Sequence, residues 1–403
     1  MIRVSTNEFY RSSERAMMQR QRDLMNTQAQ ISSGKRINSP SDDPVGAAEA
    51  AGTRTALSQF DQFKSNQDRA TYLLNLGEST LGHFVDAAQS VKEKLIAAGD
   101  GAYSNAERSA LATDLQGILS QMVGFANSSD GAGGYLFAGS KEATAPFSQS
   151  GLAISYNGDT TPLQLEVSTN RLQQVKQSGD DVLLKVRAGN GTFTTSAAST
   201  NTGSGSIDPG SVVDPTKLTG SSYSIGFSVS GGVTTYQVVR ASDSAVVASG
   251  TYTAPASIAF DGQQVAITGA PSNGDTFSVA PAGYQSIFDT VASAVQLLAK
   301  GVTTAADMAQ LQTSLSGLGA SLDQALDHLS LKRAEYGSSL SELDTDAQLN
   351  DDRQLQYKTR LSSLEDLDLG QAAVDLSQRQ STYQAAIQSY SAISKLSLFN
   401  YLD

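Results

Sequence analysis

The nine prolines of this 403-residue chain constrain its fold more than any other feature, because each forbids an interior helical position. They stand at Pro40, Pro44, Pro146, Pro162, Pro209, Pro215, Pro255, Pro271 and Pro281. Residues 45–145 and 282–403 contain none, and both carry apolar residues at helical spacing. The stretch between them is dense in Gly, Ser, Thr and Val, and its apolar residues alternate with a period of two. The order is helical, β, helical: a multidomain α plus β chain in which an all-β domain interrupts a helical scaffold. Chain order implies nesting, so the expected shape is an elongated hairpin of long coiled-coil-like helices from both termini. The length exceeds one ordinary core. The expected domains are 1–40 with 367–403, 41–140 with 284–366, and the β-rich insert 141–283.

Local signals place the boundaries. Gly34 can take the left-handed conformation that ends a helix, and Ser41, Asp42 or Asp43 can cap the next one ahead of Pro44. That second helix is expected to stop at Gly99-Asp100-Gly101, and a third to run from about Asn105 to Phe125. Tyr135-Leu136-Phe137 is strand-like. Ala153–Tyr156 and Leu163–Val167, separated by Asn157-Gly158, read as one hairpin. Further strands fit Tyr223–Val229, Thr235–Arg240, Val246–Tyr252, Ser257–Phe260, Val265–Ile267 and Thr276–Val279. The Ser/Gly/Thr-rich run 195–211 is expected to be a mobile loop. Helical spacing returns at Tyr284 and passes through Leu315, Leu322, Leu329, Tyr336 and Leu343 to the acidic break Glu365-Asp366-Leu367-Asp368.

The two ends carry apolar seams. Tyr10, Met17, Leu24 and Ile31 repeat every seven residues, while the companion column of Ser13, Arg20 and Thr27 is polar. At the far end Leu369, Ala373, Leu376, Gln380, Tyr383, Ile387 and Tyr390 follow steps of four and three. Beyond them Leu398, Phe399 and Leu402 crowd the last residues, where chain ends are ordinarily polar. Cations dominate the first seam's surroundings (Arg3, Arg11, Arg15, Arg20, Arg22, Lys35, Arg36) and acids the second's (Glu365, Asp366, Asp368, Asp375, Asp403), so charge favours their pairing. Neither seam is rich enough to stand alone. The terminal helices are expected to be completed by other chains, with Tyr10, Met17, Leu24, Ile31, Leu369, Leu376, Tyr383, Ile387, Tyr390, Leu398, Phe399 and Leu402 as the assembly interface.

Catalytic machinery is hard to find. There is no cysteine, which removes disulfides and thiol chemistry, and the two histidines, His83 and His328, lie far apart within helical patterns. Ser32-Ser33-Gly34-Lys35 matches a short serine–lysine pattern but falls at a helix end, without the other signatures of such hydrolases. The acids at 365–368 are more economically helix-start charges than a cation site. The formal charge of −12 argues against a nucleic-acid partner. No run of eighteen apolar residues suggests a membrane span, and Met1–Asn7 lacks a signal-peptide core. Composition alone therefore points to a cytoplasmic non-enzyme with no cofactor and no metal.

Certain motifs carry a family resemblance. Ile31-Ser32-Ser33-Gly34-Lys35-Arg36-Ile37-Asn38-Ser39 resembles the end of the first helix in bacterial flagellins and their relatives. Ser41-Asp42-Asp43-Pro44, Gly134-Tyr135-Leu136-Phe137-Ala138-Gly139-Ser140 and Ser397-Leu398-Phe399-Asn400-Tyr401-Leu402 are similar to the hook-associated protein 3 family, the hook–filament junction proteins. Gly274-Asp275-Thr276-Phe277 and Gln285-Ser286-Ile287-Phe288-Asp289 look like the exit from the insert in hook-associated proteins. Residues 1–140 and 284–403 carry the likeness strongly and the insert weakly, and Asp403 departs from the family's ending. The resemblance implies an extracellular structural role in the bacterial flagellum at the hook–filament junction, replacing the cytoplasmic expectation. It implies export by the flagellar type III apparatus and a ring of copies, with hook-associated protein 1 below and flagellin above. It also implies an export chaperone on the C-terminal helix. The alternatives are a minor flagellin, disfavoured by the ending and by Ser-Asp-Asp-Pro, and a secreted adhesin whose β insert binds a surface ligand.

Overall fold

The structure, a computed structural model, describes residues 6–399. Three helices open the chain: α1 (Thr6–Ser33), α2 (Pro44–Ala98) and α3 (Asn105–Ala126). Fifteen strands follow: β1 (Phe147–Ser150), β2 (Ala153–Tyr156), β3 (Leu163–Ser168), β4 (Arg171–Lys176), β5 (Val186–Arg187), β6 (Phe193–Ala197), β7 (Ser206–Ile207), β8 (Ser211–Val212), β9 (Tyr223–Ser230), β10 (Val233–Arg240), β11 (Val246–Thr251), β12 (Ala256–Phe260), β13 (Gln263–Thr268), β14 (Thr276–Pro281) and β15 (Tyr284–Gln285). Three helices close it: α4 (Ile287–Ala299), α5 (Ala305–Glu365) and α6 (Leu369–Phe399). Long helices from both ends thus flank an inserted all-β domain, the fold class expected from the proline distribution.

The chain forms two compact units, residues 1–65 with 345–403 and residues 66–344. The second, central unit holds two apolar clusters. One gathers Leu74, Leu81, Phe84 and Leu95 of α2, Leu115 and Leu119 of α3, Phe288 and Val291 of α4, and Leu322 and Leu329 of α5. The other lies within the insert, where Phe193, Ile225, Phe227, Val238, Ile267 and Phe277 meet. It sits under a five-stranded sheet ordered β11-β10-β9-β14-β6 and a smaller sheet of β12, β13 and β7, with β8 also paired to β13. Inward residues alternate along β9 (Tyr223, Ile225, Phe227 buried), as a sheet with one wet face requires.

Several local expectations need correction. β2 pairs with β1 (Ser148↔Ser155), and β3 with β4 (Leu165↔Gln173), so 153–156 and 163–167 are not one hairpin. Gly151 and Asn170, both at positive φ, close two tight local turns, and shorter loops win over the six residues around Asn157-Gly158. The run 195–211 is ordered rather than a mobile loop. Asp275 accepts from the amides of Thr202 and Gly203, Asp208 accepts from Gly210 and Ala266, and the Ile207 amide donates to Thr313 Oγ1. Tyr135-Leu136-Phe137 is not a strand but a turn whose Leu136 and Phe137 enter the helical cluster. Tyr284 belongs to β15, paired with β5, and the helix begins after Ser286, whose hydroxyl accepts from the Phe288 amide at 3.0 Å.

Candidate assembly interface

α1 and α6 pack against each other. Tyr10 meets Tyr390 edge-on, with ring centroids 6.3 Å apart, while Gly34 meets Leu367, so the two helices run antiparallel. Tyr10, Met17, Leu24 and Ile31 on α1, and Leu376, Tyr383 and Tyr390 on α6, all face this contact and all remain only half-buried. The rest of the α6 stripe does not face it. Leu369 and Ile387 are 58% and 41% exposed, and the inward positions are Ala372, which is buried, and Ala386. The side chains of Leu398 and Phe399, and the whole of Leu402, lie outside the described residues.

The rotation of α6 is set where it begins. The Leu367 amide donates to the Gly34 carbonyl (3.0 Å) and the Arg36 amide to the Glu365 carbonyl (2.6 Å), making an antiparallel bridge of Lys35 with Asp366. The Arg36 guanidinium also donates to the Leu364 carbonyl, at 2.8 and 3.2 Å. Asp368 then caps α6, accepting from the amides of Gly370 and Gln371 at 2.9 and 3.0 Å. With the start pinned, a choice of step three rather than four after Leu369 follows, and Ala372 turns inward. Small alanines there allow close helix approach.

Glu365 was expected to serve as helix-start charge together with its acidic neighbours; only Asp368 does so. Glu365 is 4% exposed and pairs with Lys35 Nζ (3.2 Å) and with Arg54 of α2. Burial alone would raise its pKa, but the hydrogen bonds and charges of Arg54 and Lys35 hold it below the ordinary glutamate value. One carboxylate thus ties the exit of α1, the body of α2 and the end of α5. Its sequence signal was slight: a lone glutamate closing a long heptad run, with cations at 35 and 54. The second connector behaves as read. Asp43 accepts from the Gly46 amide at 2.9 Å, capping α2 ahead of Pro44, and the Gly46 and Arg36 contacts keep its carboxyl acidic.

Other singled-out residues have packing roles. His83 stacks on Phe125 with centroids 5.2 Å apart, and His328 Nε2 lies 2.9 Å from the Asp181 carbonyl. Arg11, Arg15 and Arg20 reach no carboxylate among the described residues, so among those residues the anticipated charge pairing of the two ends takes the form of an ion pair at Lys35 with Glu365. No described helix is long and apolar enough to cross a membrane. Sequence reasoning also missed Lys176, fully buried between Asp130 (2.8 Å) and Glu142 (2.7 Å) in the central unit.

Paired terminal helices clasped at their inner ends, with a β domain inserted between the helical halves, define a chain of the bacterial flagellin type. Residues 4–142 match the family description of the bacterial flagellin N-terminal helical region, and residues 196–281 that of a D2-like domain of flagellar hook-associated protein 1. The chain is 26% identical to flagellar hook-associated protein 3 of Salmonella typhimurium over 398 residues, 99% of each chain. A solved hook-associated protein 3 from Legionella pneumophila is 30% identical with a TM-score of 0.75, covering 77% of this chain and 98% of the relative. A flagellar junction protein structure from the same organism gives 30% identity and a TM-score of 0.68, covering 72% and 98%. The chain belongs to the flagellar hook-associated protein 3 family, and its relatives are structural proteins of the flagellum.

Proposed function

We propose that the chain is a structural subunit of the junction between flagellar hook and filament, assembled through its terminal helices into a ring of copies. In this reading it leaves the cell through the flagellar type III apparatus and works outside it, with hook-associated protein 1 below and flagellin above. An export chaperone holds the C-terminal helix before assembly. Residues 1–40 with 367–403 supply the seam, 41–140 with 284–366 a helical rod, and 141–283 an outer β-rich domain. Tyr10, Met17, Leu24, Ile31, Leu376, Tyr383 and Tyr390 pack between copies, with Leu369 and Ile387 at the outer edge of the same contact.

The observation that carries this reading is the half-burial of Tyr10, Met17, Leu24, Ile31, Leu376, Tyr383 and Tyr390 within a unit that contributes nothing to either apolar cluster. A two-helix pair with half its core columns polar or small buries too little apolar area to offset the entropy of ordering both helices. Further helices from neighbouring copies would complete it. Truncation after Tyr390 is expected to abolish incorporation into flagella while the insert stays folded, as judged by circular dichroism and by protease-resistant fragments. Normal incorporation of the truncated chain would sink the reading. Deleting the insert separates junction from adhesin: motility largely survives in the first case and adhesion is lost in the second.

A further inference from the structure

Opposite its seam, α1 carries a second face that nothing among the described residues covers. Arg11, Arg15, Met18, Arg22 and Met25 fall within about 80° of arc at 3.6 residues per turn, on the side of the helix away from Tyr10, Leu24 and Ile31. Met18 and Met25 are 51% and 56% exposed, large values for unbranched apolar side chains. Arg15 and Arg22 are exposed and reach no carboxylate among the described residues; Arg22 Nε touches only the Met18 carbonyl, at 3.4 Å. A matching face lies on α5 within the same unit. Leu349 and Leu355 are 45% and 64% exposed, and between them stands exposed Asp352, with Asp351 beside it bound only to exposed Lys64. Leu349, Asp352 and Leu355 share about 120° of helix surface.

We propose that these two faces dock on each other between neighbouring copies, the Arg15–Met18–Arg22–Met25 stripe of one against the Leu349–Asp352–Leu355 patch of the next. The proposal rests on the assembly reading above and names a second contact, distinct from the seam. The two surfaces are complementary. Cations alternate with pliable methionines on one surface, and on the other the Asp352 carboxylate stands between two leucines. Two different patches meeting head to tail form a heterologous contact, the kind that generates a ring when the rotation closes. A self-complementary pair would stop at a dimer.

The absence of cysteine makes the test clean. Full-length chains carrying Met18→Cys and Leu355→Cys, co-expressed in motile cells, should yield on oxidation of isolated flagella a covalent dimer joined between those two peptides. Residue 18 joined to a different protein, or both cysteines still open to a maleimide in assembled flagella, would overturn the proposal. Charge reversal gives an independent readout. Arg15→Glu with Arg22→Glu should lower incorporation about tenfold, by placing like charges together, and Asp352→Arg should restore it. If the double variant is folded by circular dichroism yet unrescued, the docking pair is wrong while the seam reading stands. Incorporation of the chain truncated after Tyr390 would instead remove the seam reading itself.

Discussion

In the central unit Phe84, Phe137 and Phe288 lose all exposure to water. In the terminal unit the largest buried side chains, Phe60 and Phe63, share the interior with Glu365, Asn350, Asp346, Thr27 and Thr53. One unit is held by apolar area, which needs no partner once the chain has collapsed. The other is held by a clasp of main-chain and charged contacts at one end of a half-covered helical seam. Such contacts fix geometry well and stabilise weakly when exposed. The contrast teaches that apolar burial is concentrated in one part of this chain: the central unit carries both apolar clusters, while the terminal unit leaves its helical seam half-covered.

The contrast can be broken most sharply at Phe288, whose ring lies 6.2 Å from Phe84 and 5.3 Å from Phe147. Phe288→Ala should cost about 4 kcal/mol, read as a lower melting temperature in calorimetry, with seam residues unaffected in their own right. Lys176→Met should cost about 3 kcal/mol, because it strands the Asp130 carboxylate in a buried site. Burial would raise the pKa of Asp130, but Lys176 and the amides of Ala132 and Gly134 lower it from 3.8 to about 2. Its contribution is therefore full above the ordinary aspartate value and fades as the pH falls toward 2. Denaturant midpoints measured across that range should lose this acid step in the variant.

The clasp should respond more gently. Glu365→Gln should cost about 1 kcal/mol, since Lys35 and Arg54 are half in water. Because its folded pKa lies below 4.5, the stabilisation is present at neutral pH and disappears as acid protonates the folded carboxylate. Hydrogen-exchange protection at residues 34–36 and 366–372, relative to the intrinsic rate at each pH, should fall in acid in the parent and stay constant in the variant. Tyr383→Ala should change monomer stability least, by less than about 1 kcal/mol, as the ring is half exposed already. It should nevertheless impair incorporation into flagella. Equal losses of melting temperature at Tyr383 and Phe288 would erase the distinction between the units.

Much of this was legible in the chain. Proline placement gave the helical, β, helical order, and Asp43 and Asp368 cap helices where capping chemistry allows. These are properties of a residue and its near neighbours, so they survive translation into three dimensions. Strand pairing around 147–176 was misread because a turn signal says where the chain can reverse and not which of several reversals has the shorter loop. The choice of Ala372 and Ala386 over Leu369 and Ile387 depended on how α6 is rotated at its start, a fact held by Gly34, Arg36 and Leu367 across more than three hundred residues of sequence. The ion pairs of Glu365 and Lys176 are of the same kind. A charge in a sequence reads as a surface group, and only the packed structure decides that it is buried with partners that keep it charged. Local backbone chemistry and periodicity were thus fixed by the sequence itself; the azimuth of helices, the partners of buried charges and the faces left uncovered were decided by tertiary contacts, because each depends on distances between residues remote in the chain.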